Sequence, residues 1–209
     1  MGRSALLCAS LSALVALELM APGVAQPARV RDPDWPCQQI KVPELSLAAV
    51  WSGPPVDTAG QAWRNDPAVA DLVGKVAPRR VPIDAAVADI DNFAKQAGQN
   101  KASSLPQVMA GLFNTLGQER DSVMAGLDRF GKRQKELAAQ IRAENEKLRT
   151  MQSDPSADPG TVEALTRQVT WDAELFQDRN QALSYACDVP NKIEKRLFAL
   201  ARAIQNDLD

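Results

Sequence analysis

The sequence predicts an all-α protein: a short helical base, a projecting antiparallel coiled-coil hairpin and an irregular Pro/Trp-rich N-terminal arm. Three observations carry that reading. Strong helix formers crowd the second half of the chain, which holds few aromatics, with one Tyr and five Phe in 209 residues. Apolar residues recur every seven positions over two long stretches, and a Pro/Gly/Asp cluster separates the two.

Residues 1–25 read as a cleavable secretory signal. Arg3 supplies a cationic head, an apolar run follows, Pro22-Gly23 break it, and Gly23-Val24-Ala25 places small residues for cleavage before Gln26. The competing reading, an uncleaved anchor, has to accept Glu18 inside a run barely as long as the ~20 residues that span a bilayer. Cys8 leaves with the signal. The remaining pair, Cys37 and Cys187, reads as one disulfide in an exported chain, or as free thiols where the compartment is not oxidising. Closing so long a loop would stabilise by roughly 4–5 kcal/mol at best on the chain-entropy account.

The arm spans residues 26–65. Pro27, Pro33, Pro36, Pro43, Pro54 and Pro55 remove backbone donors and forbid a sustained helix. Trp35, Trp51 and Trp63, with Val42, Leu45, Leu47 and Val50, make it too apolar for a solvated linker. It is therefore expected to pack on the body, the alternative being a disordered arm that exposes its tryptophans to a partner.

Residues 66–209 form the expected helical domain. Asp66-Pro67 is a cap followed by a first-turn proline, and Val69, Leu72, Val73 and Val76 recur at helical spacing before Pro78. A second helix runs over 83–97, with Ile83, Val87, Ile90, Phe93 and Ala97 on one face and Gly98 as its stop. A third opens at Ser104, where Ser104 can cap and Gln107 can reach back, and continues to about Gln152 with possible kinks at Gly111, Gly117, Gly126 and Gly131.

From Leu116 the third helix carries a coiled-coil seam. Leu116, Val123, Phe130, Leu137, Glu144 and Met151 lie seven apart, interleaved with Arg120, Leu127, Gln134, Ile141 and Leu148. Two Asp-Pro pairs and Gly160 then force a turn. Beyond it Val162, Val169, Phe176 and Leu183 repeat every seven, with Leu165, Asp172, Arg179 and Ala186 as companions. A tight loop between two such helices makes a hairpin. Pro190 predicts a kink or break, after which Ile193, Leu197, Leu200, Ala201, Ile204 and Leu208 return to the base. Counting outward from the turn sets Cys187 level with Ala125, so residues 125–187 project as a stalk about 40 Å long. Arg120, Gln134, Glu144, Asp172 and Arg179 occupy seam positions. Rotation toward solvent is the ordinary expectation for them, and fixing of register is the sharper one.

The chain has no histidine, which excludes Ser-His-Asp, Cys-His and histidine-metal chemistry. Two cysteines are too few for a thiolate zinc site, and no glycine loop cradles phosphate, so no cofactor is expected. The net charge of −2 gives no footprint for nucleic acid, and no apolar run after residue 25 would hold the cleaved chain in a membrane. Glu136, Glu144, Glu146, Glu163, Asp172, Glu174 and Asp178 alternate with Lys and Arg, the pattern of a solvated face rather than an acid–base pair. Ser153, Asp154 and Asp158 at the turn have oxygen ligands but not the spacing of an EF-hand, and Asp-Pro there reads as a capping device. The expectation is an exported, noncatalytic interaction or adaptor protein. Its partner would be another envelope protein, or a second copy through the heptads. The candidate contact residues are Ser153, Asp154 and Asp158 at the turn and Trp35, Trp51 and Trp63 in the arm. A client-binding chaperone or small-ligand sensor is the alternative, and a carboxylate-dependent cell-wall enzyme comes third.

Overall fold

The computed structural model describes residues 32–58 and 61–208, so the expected signal at 1–25 lies outside the described residues. Among the described residues there are six α-helices and no strand. They are α1 (Leu47–Val50), α2 (Pro67–Val76), α3 (Ile83–Ala97), α4 (Lys101–Ser153), α5 (Pro159–Cys187) and α6 (Val189–Leu208), with 3-10 turns at Ala62–Asn65 and Gly98–Asn100. The protein is all-α, as its periodicity predicts.

Helix α2 starts where the capping chemistry puts it. Asp66 accepts from the backbone N–H of Ala68 and Val69, and Pro67 occupies the first turn, where its missing donor costs nothing. Helix α3 ends at Gly98, whose φ of 53° is one that residues with a Cβ rarely adopt. The start of α4 differs from expectation. Ser104 is not its cap: the helix begins three residues earlier, and the Ser103 and Ser104 hydroxyls both donate to the Asn100 carbonyl. The 3-10 turn after Gly98 feeds directly into α4 and leaves no break for a serine to cap. Pro106 therefore sits inside the helix. The carbonyl it fails to bond belongs to Ala102, which is exposed to water.

The base packs α2, α3, the first half of α4 and α6 around one core. Val69, Val73, Val76, Ile90, Leu105, Met109, Leu112, Leu116, Ile193, Leu197, Leu200 and Ile204 are sealed from solvent. Each such side chain contributes about 1.5–3 kcal/mol relative to exposure. The α3 face is shifted from the expected one: Ala86, Ile90 and Ala94 are innermost, while Ile83, Val87, Phe93 and Ala97 lie at its margins. Alanines lead because they let α3 approach closely. Arg196 of α6 is also buried; its guanidinium donates to the carbonyls of Val76 (3.1 Å from Nε), the last residue of α2, and Val81 (2.8 Å) in the segment leading to α3.

The arm packs on this body, and it contains one turn of helix, α1, between its prolines. Trp51 and Trp63 are core residues, 7% and 5% exposed. Gly111 is what lets the arm and α2 close on α4: a Cβ there would meet Val73 Cγ2 at 2.6 Å and the Trp63 ring at 3.0 Å. Gly131 serves the same purpose further along, where a Cβ would lie 1.9 Å from the Asp34 carbonyl oxygen. Both were expected as kinks; they are close-approach positions in an α-helix that runs without a break. A Cβ at Gly117 would meet nothing within 4 Å, and one at Gly126 only the tip of Arg129 at 4.0 Å.

Beyond the base, α4 and α5 form the hairpin. Every described seam position predicted from the heptads is buried or half-buried. The expectation that its polar members turn to solvent fails for three of them: Arg120, Gln134 and Asp172 are 1%, 7% and 6% exposed. Two helices with so few large apolar residues cannot exclude these positions, so partners are recruited for them. Gln134 Nε2 donates to Asn180 Oδ1 (3.1 Å) and the Phe176 carbonyl (3.3 Å), while Gln140 and Gln168 amides both donate to Asp172 Oδ2 (3.3 and 2.8 Å). The bonds from Gln134 and Gln140, which cross from α4 to α5, hold only in one register. Only Asp188 separates α5 from α6, and Pro190 lies in the first turn of α6, so the break predicted at Pro190 is one residue wide.

Candidate interaction surfaces

Three surfaces can be built from the residues upward: the root of the hairpin, its turn and its outer flanks. At the root, Cys37 and Cys187 form a disulfide across a sequence separation of 150, with Cα atoms 5.7 Å apart. Around it the arm is fastened on several sides. The Gln39 side-chain amide donates to the Cys187 carbonyl, and Trp35 Nε1 closes a local loop on the Gln39 carbonyl (2.7 Å). Lys41 Nζ lies 2.6 Å from Asp32 and 2.8 Å from Asp128 of α4. Those carboxylates, Asp128 first, raise the Lys41 pKa above its usual value, and the Lys41 ammonium is the main cause that holds Asp32 below its own. Arg120, buried beneath, donates to the Val42 carbonyl (2.6 Å) and pairs with Glu194 of α6 (2.6 Å). One guanidinium thus joins the arm, α4 and α6, where a buried charge without partners would be strongly destabilising.

This fastening leaves a shallow groove beside the disulfide, between Gln38 and Gln39 of the arm and Asn180, Ser184 and Tyr185 of α5. Ile40 and Val42, on either side of the anchored Lys41, are 58% and 53% exposed. Trp35 is half-buried against the arm, with Lys41 Nζ 5.7 Å from its ring. Of the three arm tryptophans named as contact candidates, Trp51 and Trp63 are committed to the core, and Trp35 alone keeps partial access to solvent.

At the turn, the candidate acids are occupied by the backbone. Asp154 Oδ1 accepts from Ser156 N–H (2.8 Å) and hydroxyl (2.7 Å); Asp158 Oδ2 accepts from Thr161 N–H (2.8 Å) and hydroxyl (2.7 Å). The hydroxyl bonds are the first cause, and the N–H bonds the second, that lowers both carboxyl pKa values. The Ser153 hydroxyl donates to the Arg149 carbonyl. Ser153, Asp154 and Asp158 are exposed and near one another in sequence, and their polar atoms shape the turn. Among the described residues no group of three or more His, Cys, Asp or Glu side chains is placed to hold a metal ion. Glu163 and Glu146 are surface groups that pair with Arg167 and Arg149, while Asp172 is held in the seam.

The flank of α5 carries what sequence reasoning missed. Trp171, outside both seam and arm, is 64% exposed, and Tyr185, fourteen residues on, is 76% exposed. The signal was present: Ala164, Trp171, Leu175, Ala182 and Tyr185 form a second stripe at helical spacing beside the first. Among the described residues, no helix is long and apolar enough to cross a membrane. Compared with known proteins, the chain matches no family model, no curated protein and no solved structure.

Proposed function

We propose that this chain is an exported, noncatalytic interaction protein whose projecting hairpin engages a partner, either another envelope protein or a second copy of itself. The observation that carries the reading is Trp171. Trp171 is 64% exposed on a helix whose other face is already spent on the seam, so folding of this chain leaves most of it unburied, and large exposed aromatics are the usual anchors of protein contacts. Export is supported by the signal-like order of residues 1–25 and by a cysteine pair bonded at the hairpin root, since disulfides persist in oxidising compartments. The absence of histidine argues against the commonest neutral-pH acid–base machinery.

Gln134 and Phe176 face each other across the seam, so removing residues 135–175 and rejoining the ends with a short turn shortens the stalk without disturbing the base. The truncated protein is expected to keep its disulfide and cooperative melting while losing capture of its partner in crosslinking and affinity recovery from the native envelope. Undiminished capture would refute the assignment of binding to the hairpin.

A further inference from the structure

The hairpin is a plank with two broad faces, and among the described residues the arm covers only one of them. Asp128, Gly131 and Lys135 of α4 meet the arm, as does Cys187 of α5. The opposite flank of the α4 seam presents Gly126, Arg129, Arg133, Glu136, Gln140 and Ala143. The matching flank of α5 presents Trp171, Leu175, Asp178 and Tyr185, the last also bordering the disulfide groove. Arg129, Arg133 and Asp178 are exposed and make no ion pair among the described residues.

The hydrogen bonds between Gln134 and Asn180 and between Gln140 and Asp172 set heights along the plank. On that scale Trp171 lies level with Gln140 and Ala143, Asp178 with Arg133, and Tyr185 with Gly126. A two-fold axis running along the stalk in front of this face lays α4 of one copy over α5 of the other, at unchanged height. Trp171 then comes over Ala143, Tyr185 over Gly126, and Arg133 over Asp178, each twice. Large residues meet small ones, and Arg133 meets Asp178. Gly126 gains a reason: inside a helix it costs about 1 kcal/mol against Ala, and no contact within the chain would reject a Cβ there.

We infer that the arm-free face of the hairpin is a homodimer interface, and that two copies join their stalks side by side into a four-helix bundle. A face of two helices over the length from residue 126 to 150 offers about 700 Å² per copy, close to the ~800 Å² of a standard stable interface. The inference rests on the reading of the hairpin as the interacting element and names its partner as a second copy of this chain.

Sedimentation equilibrium of the oxidised protein tests it. The wild type is expected to dimerise. Trp171→Glu should weaken the dimer about 30-fold or more, as loss of a central aromatic anchor does, with helicity and the disulfide unchanged. Arg133→Asp should weaken it as well, and adding Asp178→Arg should restore it, a result no general loss of folding can imitate. A wild type that stays monomeric, or a dimer indifferent to Trp171→Glu and to the charge exchange, overturns the inference. A monomer whose stalk still captures a different envelope protein overturns self-pairing and leaves the proposed function standing. A dimer that survives removal of residues 135–175 and captures nothing overturns both.

Discussion

Replacing Gly131 by Ala separates helix propensity from tertiary packing at one atom. Propensity alone predicts that the change stabilises α4 by about 0.8–1.0 kcal/mol. The structure predicts the reverse. The new Cβ would stand 1.9 Å from the Asp34 carbonyl oxygen and 3.1 Å from Pro36 Cδ, and both of those atoms belong to the arm. An ordinary carbon–oxygen contact is about 3.3 Å, so the arm has to lift by more than ~1 Å. It is held there by the Asp34–Lys135 pair at 2.9 Å and, one residue past Pro36, by the disulfide, so it cannot move freely. Overpacking of this kind costs about 1–3 kcal/mol, which cancels or exceeds the helical gain. Gly117→Ala in the same helix is the control, because its Cβ meets nothing within 4 Å. Urea unfolding followed by both circular dichroism and tryptophan fluorescence should show Gly117→Ala more stable than wild type and Gly131→Ala no more stable or less. The expected gap between the two is about 1–3 kcal/mol. Equal stabilisation by both would refute the close passage of the arm over α4.

Two further outcomes follow from the same packing. Removing the disulfide with Cys37→Ser and Cys187→Ser should lower stability by up to about 4–5 kcal/mol for a closed loop of 150 residues, and free the arm from the root before the hairpin melts. Fluorescence and helicity should therefore change at different denaturant concentrations; coincident transitions would refute that order. The carboxyl of Asp207, near the end of α6, is pushed up from 3.8, chiefly by burial and then by Asp91 of α3 beside it, with Lys101 and Lys95 opposing. A raised acid stabilises the fold in its protonated form, fully below pH 3.8 and progressively less as pH rises through the higher folded value. Asp207→Asn should accordingly raise the urea midpoint at pH 7 and leave it nearly unchanged at pH 3; an equal shift at both would refute the coupling.

Much of the fold is legible in the sequence because its signals are local. Asp66-Pro67 and Asp158-Pro159 start helices through their own side chains, Gly98 stops one through its own φ, and the seven-residue repeat marks the seam wherever a hairpin forms. The error at Ser104 has the same origin in reverse. A good cap sequence is overridden when the preceding turn already feeds the helix. The candidate site was less legible. Trp35, Trp51 and Trp63 stand out in a proline-rich arm, yet two of them fill the core, while Trp171 is inconspicuous inside a helical pattern and is the one left in solvent.

The sequence by itself determined the helix starts at Asp66-Pro67 and Asp158-Pro159, the stop at Gly98, the hairpin and the absence of histidine chemistry, because each depends on residue type and spacing alone. Tertiary structure decided which glycines admit the arm, which seam residues are sealed as buried polar contacts and which face of the hairpin remains uncovered. Those outcomes depend on where residues distant in sequence come to lie. Gly131 and Gly126 are the same residue in the same helix, five positions apart. One is held against the arm and the other faces open space, and nothing short of the folded arrangement distinguishes them.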